Sequence, residues 1–494
     1  MSPKRRITSI LLLTAVAAGS ISACGESAGS SPAASTTAAS ADPSQIAETE
    51  AEETTNAYIP DDIPDTDFGG ETVTFAAPTW YGAPSFIYAS ELDGEVINDA
   101  FYNQRMSIQE RFNVSIDLFV KNDEGGGTQL EKDVHKMVQA GDSGYDLIYN
   151  GDGCGVRNGL GGDFLNLRAV SSIDFDKPWF SGTSDLFTIG GRLFFTANTF
   201  SISSIYMSST LTINKKLASD FGLEVPYDQA RAGSWTLDAL LAMTANMDKD
   251  IDGDGKMTEE DQYGFLSQQY SELCMQCNLG GAMIGKNAEG WLELTPDENR
   301  IVSIIEKCSQ LFANGSNKFG ASNESGVEVF VKGNSLFCFM EGRLMNTKVR
   351  QYDITYGILP FPKYDENQEN YSAAGYDLYW GIPVTSEKAE MTGTLVSAMS
   401  CYNYNIIVPQ VWEIVLGSKL ADAPDDAEMF EIIRDVQYVD IGYAASTAMS
   451  SLSGLCFLIH DTKPDTVVST IEKKKNSAIN SIDKFNDKFA ALDG

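Results

Sequence analysis

The sequence predicts an α/β fold built on parallel sheet and divided into two domains or lobes. Three observations carry that expectation. Strand-period and helix-period apolar patterns alternate along residues 70–149, which is the signature of βαβ units. The chain has 494 residues, more than a single hydrophobic core ordinarily organises. Its apolar content, 43%, is that of an ordinary globular protein.

The elements follow in order. GETVTFAAP (70–78) alternates and reads as a strand. Ile97, Phe101, Ile108 and Phe112 fall on one helical face. After Asn113, VSIDLFV reads as a second strand. Leu130, Val134, Met137 and Val138 recur at helical spacing, and Gly141 stops that helix. YDLIY (145–149) is a short apolar strand. Parallel sheets of this kind bind ligands beyond the C-terminal ends of their strands, here 77–81 and 150–153. Further on, LTINKKLASDFGL (211–223) reads as a strand entering a helix. GSWTLDALLAMTANM (233–247) is a helix with Thr236 as N-cap and Asp238 in its first turn. YGILPFP (356–362) is a strand ended by prolines. The stretch 469–492 is an amphipathic surface helix with a solvated charged face.

Residues 1–23 read as a secretory signal: basic MSPKRR, the apolar run ITSILLLTAVAAGSI, then small Ser22 and Ala23. The run is too short and too lightly flanked for a permanent spanning helix. Ile21-Ser22-Ala23-Cys24 resembles the bacterial lipobox, in which the cysteine is diacylated and becomes the mature N-terminus. The alternative is an ordinary signal peptide with a chance cysteine. No other stretch is long and apolar enough to cross a bilayer, so the expected location is the extracellular face of the cell membrane, held by lipid on Cys24. Residues 24–66 are rich in Ser, Ala, Thr and Glu and read as a disordered tether. The formal GxSxG match from Gly25 to Gly29 has no strand before it and no helix after it, so it is not a nucleophile elbow.

The net charge is −34, and removal of Lys4, Arg5 and Arg6 with the signal takes it to −37. So acidic a chain disfavours nucleic acid as a partner, and the charge favours solubility. Beyond Cys24 there are Cys154, Cys274, Cys277, Cys308, Cys338, Cys401 and Cys456, an odd number that leaves at least one thiol unpaired. Cys274 and Cys277 have CxxC spacing, but a zinc site needs two further ligands. With only His135 and His460 in the chain, buried thiols or a local disulfide are the favoured readings. His135, on a helix among charges, is expected to be solvated.

Residues 248–265, DKDIDGDGKMTEEDQYGF, resemble a calcium loop in two registers. One starts at Asp248 and uses Asp250, Asp252, Gly253 and Glu259. The other starts at Asp250 and uses Asp252, Asp254, Gly255, Thr258 and Asp261. The second resembles dockerin loops and is preferred, because Met257 at its eighth place can pack inward. Aspartates this close repel one another without a cation or ample water, so the expected ligands of a structural Ca2+ are Asp250, Asp252, Asp254, Thr258 and Asp261. The alternative is a solvated acidic turn. Dockerins and sensor EF-hands carry such loops in pairs; a single one points to a structural staple.

Several segments, in order, resemble the extracellular solute-binding lipoproteins of bacterial ABC importers, family 1, which includes sugar receptors. NQRMSIQERFNVSIDL and YDLIYNGDG look like the first helix and the second and third strands. FSISSIYMSSTLTINKKLASDFGL looks like the crossover into a second lobe, and GSWTLDALLAM like that family's tryptophan-threonine helix start. VKGNSLFCFMEGRL and YGILPFPKYDE look like the return, and YWGIPVTSEKAEMTGTLVSAM like the strand placed at the cleft before a helix. The resemblance covers nearly all of 67–494.

It implies a two-lobe periplasmic-binding-protein-like (class II) fold with a ligand cleft between the lobes, which close by hinge bending. The implied first lobe is 67–200 with 360–405, and the second is 201–359 with 406–494. The implied function is a membrane-anchored receptor, not an enzyme, that captures a sugar or oligosaccharide and delivers it to an ABC permease. Sugars need aromatic platforms with carboxylate or amide hydrogen-bonders. In the places resembling cleft-lining segments stand Trp80, Tyr81, Asn150, Asp152, Tyr206, Tyr376, Asp377, Tyr379 and Trp380. A core role remains open for each aromatic; Trp235 and Trp412 read as core and Trp291 as surface structure. No basic cluster is evident in these segments, which argues against a phosphate or sulfate ligand. The alternatives are a secreted glycoside hydrolase using two carboxylates, a surface adhesion lipoprotein, and a receptor for a non-sugar ligand such as a peptide.

Overall fold

In the computed structural model of the protein, the described residues are 58–492 apart from 181, 268–270, 313–324, 422, 450–454, 456–457 and 462. The signal, Cys24 and most of the expected tether lie outside them. Residues 58–66, expected in the tether, instead lie along the domain. Arg111 pairs with Asp61 at 2.5 Å and Asp65 at 2.7 Å, Lys177 with Asp62 at 2.7 Å, and Asn405 holds the Ile59 backbone. The acidic residues of this stretch have cations waiting for them, so order begins earlier than composition suggests.

The strands are β1 (Glu71–Pro78), β2 (Val114–Lys121), β3 (Leu147–Asn150), β4 (Ser209–Asn214), β5 (Tyr263–Ser267), β6 (Ile284–Lys286), β7 (Leu292–Leu294), β8 (Ser335–Glu341), β9 (Tyr356–Leu359), β10 (Ala373–Gly375), β11 (Tyr379–Gly381) and β12 (Gln437–Val439). A first four-stranded sheet has the order β11-β3-β1-β2. β1 runs parallel to β2 and β3, and β11 is antiparallel to β3, with Trp380 opposite Tyr149. Its helices are α1 (Val96–Phe112) and α2 (Thr128–Gln139), which bury Phe101, Ile108 and Phe112, and Leu130, Val134 and Met137. α1 stops where Asn113 turns left-handed at φ 45° and donates to Asp67 at 2.7 Å. A second sheet has the order β5-β8-β4-β9, with β5 parallel to β8 and β4 antiparallel to both its neighbours. Trp235 is fully buried beneath it, donating from Nε1 to the Pro360 carbonyl at 3.2 Å.

Two main-chain crossovers join the sheets. Residues 200–208 lead from the first to the second, and residues 375–379 lead back; Ser208 bridges Gly375 where they pass. A third passage is helical. Ala389–Tyr402 packs on α1 and continues through the widened π turns Asn403–Ile407 and Val411–Leu420 to meet the helix Pro424–Asp435, which lies on β9. The assignment of 406–494 wholly to the second lobe does not hold at its end. The helix Ile441–Ala448 packs on α3 (Asp152–Leu160), beside the first sheet. The last helix, Val467–Ala491, sets Phe489 against Phe194 and Phe195, while Asn486 donates to the Leu292 carbonyl of β7 at 2.9 Å. This helix therefore has two sides to cover, which its aromatic face allows.

Trp291, expected as surface structure, is half-buried: its ring fills the space a Cβ on Gly190 would take, docking the β6–β7 hairpin on the segment before β4. No helix among the described residues is long and apolar enough to cross a membrane.

Candidate functional site

β1 runs out at Pro78, and the chain then makes a short 3-10 turn, Trp80–Phe86. Inside it Tyr81 (φ 53°) and Gly82 (φ 73°) are left-handed. A tyrosine in that region is strained, and such strain concentrates where a side chain must be aimed. The ring of Trp80 stacks on that of Tyr81, centroids 4.3 Å apart and planes 18° from parallel. Trp80 in turn lies against Gly151, just beyond β3: a Cβ there would stand 2.7 Å from the indole and 2.6 Å from the Gly126 carbonyl.

The second sheet supplies the facing wall. β8 ends at Glu341, and the helix Gly342–Thr347 begins at once. Arg343, in its first turn, places its guanidinium 4.0 Å from the Tyr81 ring centroid, a cation–π contact across the two halves. Arg343 is nearly buried and is held by Glu341, Nη2 to Oε1 at 2.6 Å. The other oxygen of Glu341 accepts from the hydroxyl of Tyr376, whose ring stacks on Tyr443 at 5.5 Å.

These walls enclose a cavity of about 430 Å3. Tyr81, Gly82, Ser85 and Phe86 line it from the turn after β1, and Glu95, Ile97 and Asn98 from the start of α1. Ile202 and Tyr206 come from the first crossover. Arg343, Asn346, Thr347 and Arg350 come from the far side. The Tyr206 ring stacks on Phe86 at 5.6 Å, and the Ile202 amide donates to the Phe86 carbonyl at 3.2 Å, so the crossover is moulded onto the first wall. Apolar ring faces thus alternate with amide, hydroxyl and charged groups.

Of the nine residues expected at the cleft, Tyr81 and Tyr206 line this cavity, and Trp80 backs Tyr81. Tyr376 reaches it only through Glu341 and Arg343. Asp377 is buried in the second crossover, accepting from the Ser203 hydroxyl and from the Leu378 amide at 2.8 Å; burial pushes its carboxyl up to about 7. The side chain of Asp152 lies outside the described residues.

Asn150, Tyr379 and Trp380 are corrected to core residues. All three are fully buried. Asn150 braces the 126–127 loop, donating to the Gly127 carbonyl at 3.2 Å and accepting from the Gly151 amide at 2.8 Å. Tyr379 packs on Phe187 and Phe195 at 4.9 and 5.6 Å. Trp380 donates from Nε1 to Asn198 Oδ1 at 2.8 Å, and its backbone pairs with Thr196. The reason is common to the last two: β11 is covered on both faces by the segment 187–200 and by α3.

Arg343 and Arg350 went unread in the sequence, and with them the basic character of the wall: the segments read as cleft-lining carry no basic cluster, but the chain after β8 brings two guanidiniums to the cavity. A signal was present. β8 is parallel to β5, so its C-terminal end is a binding edge by the rule that singled out 77–81. His135 is not simply solvated: its Nδ1 lies 2.9 Å from the buried carboxylate of Asp163. Among the described residues Cys154, Cys274, Cys277, Cys308, Cys338 and Cys401 are buried, and Cys274 and Cys277 are not joined to each other in a local disulfide.

In the acidic loop, carboxylate oxygens of Asp250, Asp252 and Asp254 lie within 4.8 Å of one another. Asp250 accepts from the amides of Gly253 and Gly255 at 2.6 and 2.8 Å, which curls the loop around its own carboxylate. Asp261 stands apart and is fully buried, accepting from the amides of Ile251 and Thr258 at 2.8 and 2.7 Å and from the Thr258 hydroxyl at 3.2 Å. Those backbone donors hold its carboxyl below the usual range. The structure therefore brings three of the five expected ligands together, with Thr258 and Asp261 closing the loop base on each other.

No protein-family model matches the chain, and no curated protein matches it. Solved structures do. The ABC substrate-binding protein Lmo0181 from Listeria monocytogenes, in complex with cycloalternan, superposes with a TM-score of 0.53 at 13% identity, over 85% of this chain and 99% of that one. The GacH receptor of Streptomyces glaucescens, solved unliganded and with acarbose, gives 0.52 at 12%, over 86% and 100%. Maltose-bound MalE3 of T. maritima gives 0.51 at 12%, over 83% and 100%. At these identities the likeness defines the fold: the two-lobed α/β architecture of periplasmic sugar-binding proteins, class II-like.

Proposed function

We propose that this chain is a solute-binding receptor that captures a sugar or oligosaccharide between its lobes and delivers it to an ABC permease. The observation that carries the reading is the cavity itself. It takes walls from the turn after β1, from the crossover and from the segment after β8, and Tyr206 offers it an aromatic ring suited to sugar C–H surfaces. Structures of the same architecture hold cycloalternan, acarbose and maltose. Titration calorimetry and thermal melting against a panel of sugars, with peptides as a counter-panel, test it: a saturating ligand raises Tm by mass action. A panel without any sugar response overturns the reading.

Two further parts belong to the proposal. Cys24 carries the lipid that holds the receptor to the extracellular face of the membrane, supported by the lipobox-like sequence before it. Fatty-acid labelling that survives Cys24→Ser rejects this. A Ca2+ ion staples the acidic loop, supported by the clustered carboxylates of Asp250, Asp252 and Asp254.

A further inference from the structure

We infer that the sugar taken by this cavity is acidic, a uronic-acid type whose carboxylate pairs with Arg350; the inference rests on the sugar-receptor reading above. The chain carries 69 acids against 35 bases, and its exposed guanidiniums are normally paired. Arg111 binds Asp61 and Asp65, Arg157 binds Glu131, Arg168 binds Asp185, Arg231 binds three carboxylates, and Arg434 binds Asp435. Arg350 breaks that pattern. It is exposed on the cavity wall, its one hydrogen bond is a long contact of 3.5 Å to Asn346 Oδ1, and no carboxylate among the described residues is in ion-pair range.

The two arginines of the wall have different duties. The charge of Arg343 is met by Glu341, and its flat face is spent on the Tyr81 ring. That leaves Arg350, exposed on the cavity lining, with a fork of donors that no carboxylate among the described residues engages and that suits a carboxylate in bidentate fashion. The charge count selects among anions. One unpaired guanidinium neutralises one carboxylate. A phosphate ester brings close to two charges, more than one guanidinium meets. The ligand is thereby oriented, with its acid toward the second lobe.

The test is titration calorimetry of the folded chain with glucuronate- and galacturonate-containing oligosaccharides, their neutral counterparts, and hexose 6-phosphates, each at low and high salt. The acidic sugar should bind about tenfold or more tighter than its neutral counterpart, with the advantage shrinking in salt. Arg350→Gln should erase that advantage, so that the acidic and the neutral sugar bind the variant alike, and Arg350→Lys should keep part of it. The position is exposed, so the variants should melt like the parent. Equal or better binding of the neutral sugar, preference for the phosphate, or an advantage unchanged in Arg350→Gln overturns the acidic-ligand inference and leaves the sugar-receptor reading standing. Silence from every saccharide, neutral and acidic, overturns the receptor reading itself.

Discussion

The hydroxyl of Ser203 donates to the buried carboxylate of Asp377, and this bond ties the outgoing crossover to the returning one. Behind it, Ser201 Oγ contacts Ser203 Oγ at 2.9 Å and the Tyr149 hydroxyl at 2.5 Å, so the network reaches the first sheet. A titratable group thus sits where the chain passes between the two sheets.

Asp377 makes stability fall as pH rises. Burial penalises the charge and pushes its carboxyl up to about 7, well above the ordinary aspartate range. The native state holds a proton that the unfolded chain has released, so the stabilisation is full below the unfolded pKa and is lost as pH climbs through the folded one. Thermal melts between about pH 4 and pH 8 should show this decline, of order a few kcal/mol. In Asp377→Asn the Asp377-dependent part should vanish, with Tm at pH 8 at or above that of the parent. An unchanged slope in the variant would reject the assignment.

Tyr206→Ala should weaken sugar binding by about two- to tenfold, through loss of a stacking face worth about 0.5–1.5 kcal/mol. Calorimetry reads it directly. Affinity equal to the parent's would remove Tyr206 from the site.

Gly151→Ala should destabilise the fold by about 1–3 kcal/mol, because the new methyl meets the Trp80 ring and the Gly126 carbonyl. It should also weaken ligand binding, since Trp80 backs Tyr81. Denaturant unfolding and titration on the same preparation check both effects together.

If the acidic loop holds Ca2+, chelator should lower Tm by several degrees and added Ca2+ should restore it. In the double variant Asp250→Asn with Asp254→Asn, the response should disappear. A melting curve indifferent to chelator in the parent would leave the loop as a solvated turn.

Phe489→Ala should cost about 3–5 kcal/mol, as for other large buried aromatics, because Phe489 is fully buried against Phe194, Phe195 and Phe485. Equilibrium unfolding measures it.

The sheets were legible where local pattern and tertiary demand agree. Val73 and Phe75 in β1, and Phe101, Ile108 and Phe112 in α1, are buried on the faces their spacing indicates. Tyr81 and Tyr206 could be placed because position relative to a strand end or crossover was enough. Trp380 could not. Strand-end position gave it the same standing as Tyr81, and only the covering segment 187–200, whose path no periodicity reveals, decides that it is core. Arg350 was hidden for a related reason. It becomes significant only through the carboxylates it lacks, and pairing is a property of three-dimensional proximity. The reach of the last helix across both lobes was equally invisible, because an amphipathic pattern names a buried face without naming what buries it.

That helix imposes an order of events. Phe194 is covered by Phe489, 295 positions later in the chain. Contacts so distant in sequence form late and carry a large loop-closure cost. During synthesis from the N-terminus, the first lobe therefore waits with an aromatic seam uncovered, an interval in which a holding chaperone would find its grip and premature compaction would find none.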